Sequence, residues 1–300
     1  MNMRIFVTGA TGFIGAAVVN ELIKAKHLVI GLSRSPEKSK ALKAAGVEVL
    51  EGTIENDDIL RQGAAQSDGV IHLAFNHDFS NFAANCLDDR RVIKALGLGL
   101  EGSSRPLLVT SGVPIAKTIP GEPAKENNAI VSSSKHPRAH TEEAALELEA
   151  KGINVSVVRL PQVHDTRKQG LVTPVIDIYR AEGACAYVGD GQVNWPAAHV
   201  LDVARLYRLA VERAEPNAKY HAVAEEGIPM RDIAETLAAR LKLPAQSISK
   251  AEAPAFFGWL TLFADHDMRA SSALTRKVLG WNPTGPGLLA DLEKLELPAR

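Results

Sequence analysis

The run Thr8-Gly9-Ala10-Thr11-Gly12-Phe13-Ile14-Gly15 has the residue types and spacing to hold a pyrophosphate. A phosphate needs several N–H donors at close range and no side chain in the way. Gly9 permits a tight turn, Gly12 lets the backbone approach the phosphates, and Gly15 lets the following helix pack close to the preceding strand. Thr11, Phe13 and Ile14 fill the turn at the helix N-terminus, where unpaired amides and the helix dipole favour an anion. The context carries this reading. A buried-strand pattern over 4–8 precedes the turn, a helical pattern over 13–26 follows, and a second strand pattern, 28–32, comes at the right distance.

The end of that second strand reads Gly31-Leu32-Ser33-Arg34-Ser35. A ribose 2′-hydroxyl is usually met by Asp or Glu about 20 residues after the glycine turn. No acid stands there. Arg34 offers a planar cation to a 2′-phosphate, Ser33 and Ser35 offer hydroxyl donors, and Lys38 is close by in sequence. The expected cofactor is NADP(H), with NAD(H) the weaker fit.

The elements that must position these residues alternate. Further strand patterns lie at 47–50, 69–74, 107–110 and 154–159, and helical patterns at 36–45, 57–62, 79–98 and 141–151. Near-continuous apolar strands alternating with amphipathic helices imply right-handed crossovers and a parallel sheet covered on both faces. The expected fold class is α/β: a doubly wound Rossmann sheet over 1–165, with a return segment near 186–212, and a smaller substrate-binding domain mainly over 166–300. In that second part, helices are predicted at 200–212, 230–241, 253–264 and 271–279, and short strands at 186–188 and 220–223.

Composition narrows the partners. The chain has 300 residues, is 46% hydrophobic and carries a net charge of -1, so neither nucleic acid nor an anionic membrane is expected as partner. No apolar run reaches the 18 or so residues of a spanning helix. The N-terminus lacks a signal-peptide layout, and two cysteines, Cys86 and Cys185, fit a reducing compartment. The expected location is the cytoplasm. No metal motif such as H-E-x-x-H or C-x-x-C occurs. Thr110-Ser111-Gly112 lacks the leading glycine of a hydrolase nucleophile elbow.

The glycine turn resembles that of the short-chain dehydrogenase/reductase superfamily, in its extended or atypical branch. The similarity continues in order along the chain. Glu51-Gly52-Thr53-Ile54 resembles the segment against the adenine, and His72-Leu73-Ala74 the fourth-strand motif beside the cofactor. Val109-Thr110-Ser111-Gly112 resembles the strand end that carries the active-site Ser. Arg159-Leu160-Pro161-Gln162-Val163 resembles the motif near the nicotinamide, and His199-Val200-Leu201-Asp202-Val203-Ala204 a late motif of the extended branch. The resemblance implies contacts to cofactor from Ile54, Leu73, Ala74, Pro161 and Val163. It also implies hydride transfer, a small-molecule substrate and a homodimer.

One departure stands out. The family's Tyr-x-x-x-Lys falls on 132–142, where aligning on Glu142 puts Ser134 at the Tyr position and Arg138 at the Lys position. Ser111 is then the group expected to hydrogen-bond a substrate carbonyl, and Arg138 to hold the nicotinamide ribose or to pair with Glu142 on a helix surface. The proton must come from elsewhere. His164 and His77 are the first candidates, because imidazole titrates near neutrality. His136, His140, Lys135 and water are further ones.

The substrate pocket is expected under the C-terminal segments. These are 172–191 with Tyr179 and Tyr187, the stretch Val193-Asn194-Trp195-Pro196, and the apolar run 255–263. That run reads as a pocket wall, a lid, a subunit contact or simply a core helix. Few cations suited to a nucleotide-sugar diphosphate are evident, although Arg167, Arg180 and Arg269 could converge in space. The leading expectation is therefore an NADPH-dependent oxidoreductase that reduces a carbonyl or related C=X group on a small, fairly apolar substrate. Its rivals are a sugar-nucleotide epimerase or dehydratase with tightly held NAD(P), and a non-catalytic NADP(H)-binding sensor.

Overall fold

The computed structural model describes residues 2–119 and 121–297. Its centre is a parallel seven-stranded sheet. The strands are β1 (Arg4–Thr8), β2 (Leu28–Ser33), β3 (Glu48–Glu51), β4 (Gly69–His72), β5 (Leu107–Gly112), β6 (Val155–Leu160) and β10 (Lys219–His221), in spatial order β3-β2-β1-β4-β5-β6-β10. Ile5, Phe6 and Val7 of β1 are all fully buried, so both faces of the sheet are covered and the run need not alternate.

Helices α1 (Phe13–Lys24) and α7 (Val200–Arg213) pack on one face, where Val18, Leu22, Val203, Leu206 and Tyr207 form the core. On the other face lie α3 (Asp57–Ala65), α4 (Phe82–Leu98) and α5 (His140–Glu149), which contribute Leu60, Val92, Ile93, Leu96 and Leu148. Helix α2 (Pro36–Ala44) joins β2 to β3. The strand order reverses between β1 and β4. Their carboxyl ends therefore open a crevice at the topological switch point, where such sheets bind ligands.

The second part is built on β7 (Gln162–His164), β9 (Asn194–His199) and β11 (Glu225–Pro229), paired in the order β11-β9-β7. Strands β8 (Cys185–Val188) and β12 (Ala245–Ile248) form a two-stranded sheet. Helices α6 (Val172–Glu182), α8 (Met230–Leu241), α9 (Ala253–Phe257), α10 (Thr261–Ala264), α11 (Ala273–Leu279) and α12 (Leu288–Glu293) surround them. Of the segment 186–212 expected to return to the main sheet, only α7 does. The returning strand is β10, further along.

Three expectations are corrected. The helix expected over 253–264 is broken at Gly258, whose φ of 55° and ψ of -128° cannot continue a helix; a 3₁₀ turn there separates α9 from α10. The helix expected from 79 starts at Phe82, behind a 3₁₀ turn at Phe79–Asn81 that the Asp78 carboxylate caps by accepting from the Ser80 amide. Finally, 172–182 forms a helix with Tyr179 fully buried, its hydroxyl donating to the Ala186 carbonyl, so this part belongs to the core and not to a pocket roof. Trp195 is likewise fully buried and donates to the Phe263 carbonyl.

Candidate active site

The glycine turn is constrained by backbone packing. Gly9 has a φ of 70°, and a side chain there would meet the Ala74 amide nitrogen at 2.7 Å. A Cβ on Gly15 would lie 2.0 Å from the Gly9 carbonyl oxygen. Gly12 differs. Its only close neighbour is that same oxygen at 3.2 Å, so the space beside it is left open. It is also the N-cap of α1 and brings no side chain to the first helical amides, which lie at Phe13 and Ile14. Thr11 sits half-buried in the turn. This open, donor-rich cradle fits a dinucleotide pyrophosphate.

Behind the turn runs a buried polar chain that no local sequence pattern announces. The Thr8 hydroxyl accepts from the amides of Leu73 and Ala74 and lies 2.6 Å from His72 Nδ1. His72 Nε2 lies 3.0 Å from Asp89 Oδ1. Asp89 Oδ2 accepts from Arg138 Nη1 at 2.7 Å and from the Thr141 hydroxyl at 2.5 Å. Arg138 Nη2 donates to the Thr110 carbonyl at 2.7 Å, and the guanidinium carbon stands 4.1 Å from the centre of the Phe75 ring. One chain of contacts thus fixes the ends of β1, β4 and β5 against α4. Burial alone would raise the Asp89 carboxyl, but Arg138, His72 and Thr141 together hold it at about 2.

Arg138 is therefore engaged. It lies in a 3₁₀ turn before α5, with both terminal nitrogens occupied, instead of free toward a ribose or paired with Glu142 on a surface. Glu142 instead grips Arg159 of β6 through two bonds of 2.8 Å, and both side chains are fully buried. Arg159 Nη1 also lies 3.2 Å from His221 Nε2, while His221 Nδ1 donates to the Ser271 carbonyl. Burial and the Arg159 charge push the His221 imidazole down to about 3.

The other sequence candidates separate by exposure. Ser111 lies buried one residue before the end of β5, and its hydroxyl has no partner among the described residues; a buried hydroxyl left unpaired is a donor ready for a ligand. His164 is fully buried and paired with Asp291 at 2.7 Å, beside His199, and desolvation holds its pKa below the ordinary value. Its Nδ1 is thereby occupied, while its Nε2, also buried, has no partner among the described residues. His77 is exposed beyond β4, edge-on to Phe75 and near Phe79; desolvation against these rings, aided by the Arg138 charge, lowers its pKa. His136 Nδ1 accepts from the Arg138 amide, which leaves the proton of the neutral ring on Nε2. His140 sits with Arg90 and Glu143, and Lys135 is exposed.

No tyrosine moves in to replace the missing one. Tyr179, Tyr207 and Tyr220 are buried, and burial raises all three phenols. Tyr207 comes nearest, its hydroxyl 2.7 Å from Thr110 Oγ1 at the end of β5, but it is sealed beneath the sheet. Tyr187 lies under the Arg231 guanidinium in the second part.

At the adenosine end, the Ser33 hydroxyl donates to the Ser35 carbonyl, and Ser35 caps α2 by accepting from the Lys38 amide. Arg34 is exposed and its guanidinium has no hydrogen-bond or ion-pair partner among the described residues. It is close enough to help lower the Glu55 carboxyl, next to half-buried Ile54. Pro161 and Val163 are buried at the end of β6 and in β7.

A family model for the NAD dependent epimerase/dehydratase family matches residues 5–224. The chain belongs to this family. The matched span runs from β1 to just past β10, the whole of the main sheet. An uncharacterised protein of Saccharomyces cerevisiae, YLL056C, is 42% identical over 97% of this chain and 98% of its own length. A 4-hydroxy-2-methyl-3-oxo-4-farnesyl-3,4-dihydroquinoline-1-oxide ketoreductase of Stigmatella aurantiaca is 26% identical, over 73% of this chain and 67% of that protein. Among solved structures, the dTDP-glucose 4,6-dehydratase DesIV of Streptomyces venezuelae, with NAD bound, superposes with a TM-score of 0.75 over 98% of this chain and 95% of that one, at 17% identity. That likeness speaks for the fold alone. As an epimerase/dehydratase family member the chain is an NAD(P)-dependent oxidoreductase-like protein, and no helix among its described residues is long and apolar enough to cross a membrane.

Proposed function

We propose that this family member reduces a carbonyl or related C=X group of a small, fairly apolar substrate, with NADPH as cofactor. The observation that carries the reading is Arg34. It is a free guanidinium at the end of β2, beside the glycine cradle, where an NAD site would place an acid. In this reading Gly9, Gly12 and Gly15, with the amides around Thr11, Phe13 and Ile14, hold the pyrophosphate. Ser33 and Arg34 hold the 2′-phosphate, Ile54 lies against the adenine, and Leu73, Ala74, Pro161 and Val163 line the path to the nicotinamide.

NADPH, when bound, supplies a hydride to the carbonyl carbon; the protein must then help a proton reach the carbonyl oxygen. The unpaired Ser111 hydroxyl is the donor that orients that oxygen. Arg138 acts as a positioning residue that holds the end of β5 through the Thr110 carbonyl. His77, exposed at the mouth of the crevice, or water delivers the proton. One observation disfavours a nucleotide-sugar substrate. Arg269 is tied to Asp267 and the Gly121 carbonyl, and Arg167 to Glu296, so these two form no diphosphate clamp.

Replacing Arg34 with Ala tests the assignment. The NADPH KM is expected to rise by roughly 10- to 100-fold, in line with loss of one or two charge-assisted hydrogen bonds, while the NADH KM stays within about twofold. Equal effects on both cofactors contradict it. The sealed tyrosines favour one second reading, a dinucleotide-binding protein without turnover. Its signature is tight NADPH binding with no oxidation across a broad carbonyl panel.

A further inference from the structure

Resting on the reductase reading, we infer that the substrate is a flat, ring-conjugated ketone held by a continuous aromatic wall between the end of β4 and the 258–263 turn. Phe75 begins the wall, 4.1 Å from the Arg138 guanidinium. Its ring meets His77 edge-on at 5.4 Å and Phe82 at 6.2 Å. Phe82 meets His136 edge-on at 6.1 Å and lies stacked with Phe79 at 5.7 Å. Phe79 then stacks face to face with Trp259 at 4.7 Å, which carries the wall from the Rossmann part onto the second part. Phe79 is 38% exposed and Trp259 45% exposed, so these large rings are not simply core.

The wall has a chemical preference. Aromatic faces favour other flat π systems, in stacked or edge-on contact, over puckered rings of the same size. The guanidinium packed on the wall, that of Arg138, already has Asp89 and the Thr110 carbonyl as partners, so it is not free to take up an anion. The position also suits catalysis. The wall starts one residue beyond Ala74, whose amide is bound to Thr8 beside the glycine turn.

The test compares two ketones of the same carbon skeleton, 2-acetylnaphthalene and 2-acetyldecahydronaphthalene, by calorimetry on the protein saturated with NADP⁺. The flat ketone is expected to bind at least tenfold tighter, about 1.4 kcal/mol. Trp259→Ala and Phe79→Ala should each bring the ratio to within twofold, and Trp259→Phe should keep it. The emission of buried Trp195 and Trp281 reports that each variant is folded. Equal affinities in the wild type, no binding of either ketone, or an unchanged ratio in both alanine variants overturns the inference. The two readings fail separately. A flat ketone bound with the expected ratio but never reduced sinks the reductase reading alone. Reduction of both ketones at equal efficiency sinks the aromatic preference alone.

Discussion

Gly12→Ala is expected to fold normally and to lose roughly 100-fold or more in dinucleotide affinity, because its added methyl enters the open space that the proposed function gives to the pyrophosphate. In the folded chain that Cβ meets only the Gly9 carbonyl oxygen, at 3.2 Å, and the backbone there has an ordinary φ of -75°. The stability cost should stay near or below about 1 kcal/mol, the scale of a changed N-cap. Gly15→Ala is the control with the opposite logic. Its Cβ would sit 2.0 Å from the Gly9 carbonyl oxygen, and backbone must move to admit it. That variant should lose binding and, in addition, at least the roughly 1–3 kcal/mol of an overpacked site. Fluorescence titration with NADPH, alongside urea unfolding, separates the two. A Gly12→Ala protein that binds as well as wild type would mean the cradle is not the phosphate site.

Glu142→Gln should destabilise the protein by about 3–5 kcal/mol, a large share of an ordinary domain's total. The cause is the charge left behind. Arg159 is fully buried, and Glu142 is its only carboxylate partner among the described residues. Its remaining contacts are the Glu126 carbonyl at 3.4 Å and a neutral imidazole. The same cluster sets an acid limit. His221 has a folded-state pKa of about 3 against the ordinary 6.5, so between these values the unfolded chain holds a proton that the folded chain refuses. Stability is full above pH 6.5 and falls as pH drops toward 3, by up to about 1.4 kcal/mol per unit from this group. Urea unfolding at pH 8 and at pH 5 checks both points. Stability that does not fall between these pH values, or a Glu142→Gln variant within 1 kcal/mol of wild type, would contradict them.

The main sheet was legible because its strands are buried on both faces and so read as unbroken apolar runs, and because glycine punctuates the first crossover. Strands β7, β9, β11 and β12 were not. They are only three to six residues long, and β9 carries a proline. Pairing in the small sheets comes from tertiary contact and not from local pattern. The glycine turn was visible for the same reason as the fold: it is one contiguous segment with fixed spacing. The Thr8–His72–Asp89–Arg138 chain was hidden because its members are scattered along the sequence. One signal did exist. Asn85, Asp89, Val92 and Leu96 share the buried stripe of α4, and a carboxylate on such a stripe demands a partner. The partner of His164 was hidden as well: its Nδ1 is paired with Asp291, a contact that no short spacing foretells.

We propose that the free Arg34 beside the open glycine cradle makes this an NADPH site. That assignment is tested most directly by titrating the purified protein with NADPH and with NADH and following nucleotide fluorescence. A preference of at least tenfold for NADPH, about 1.4 kcal/mol, is the predicted result. Equal affinity, or tighter binding of NADH, would contradict it.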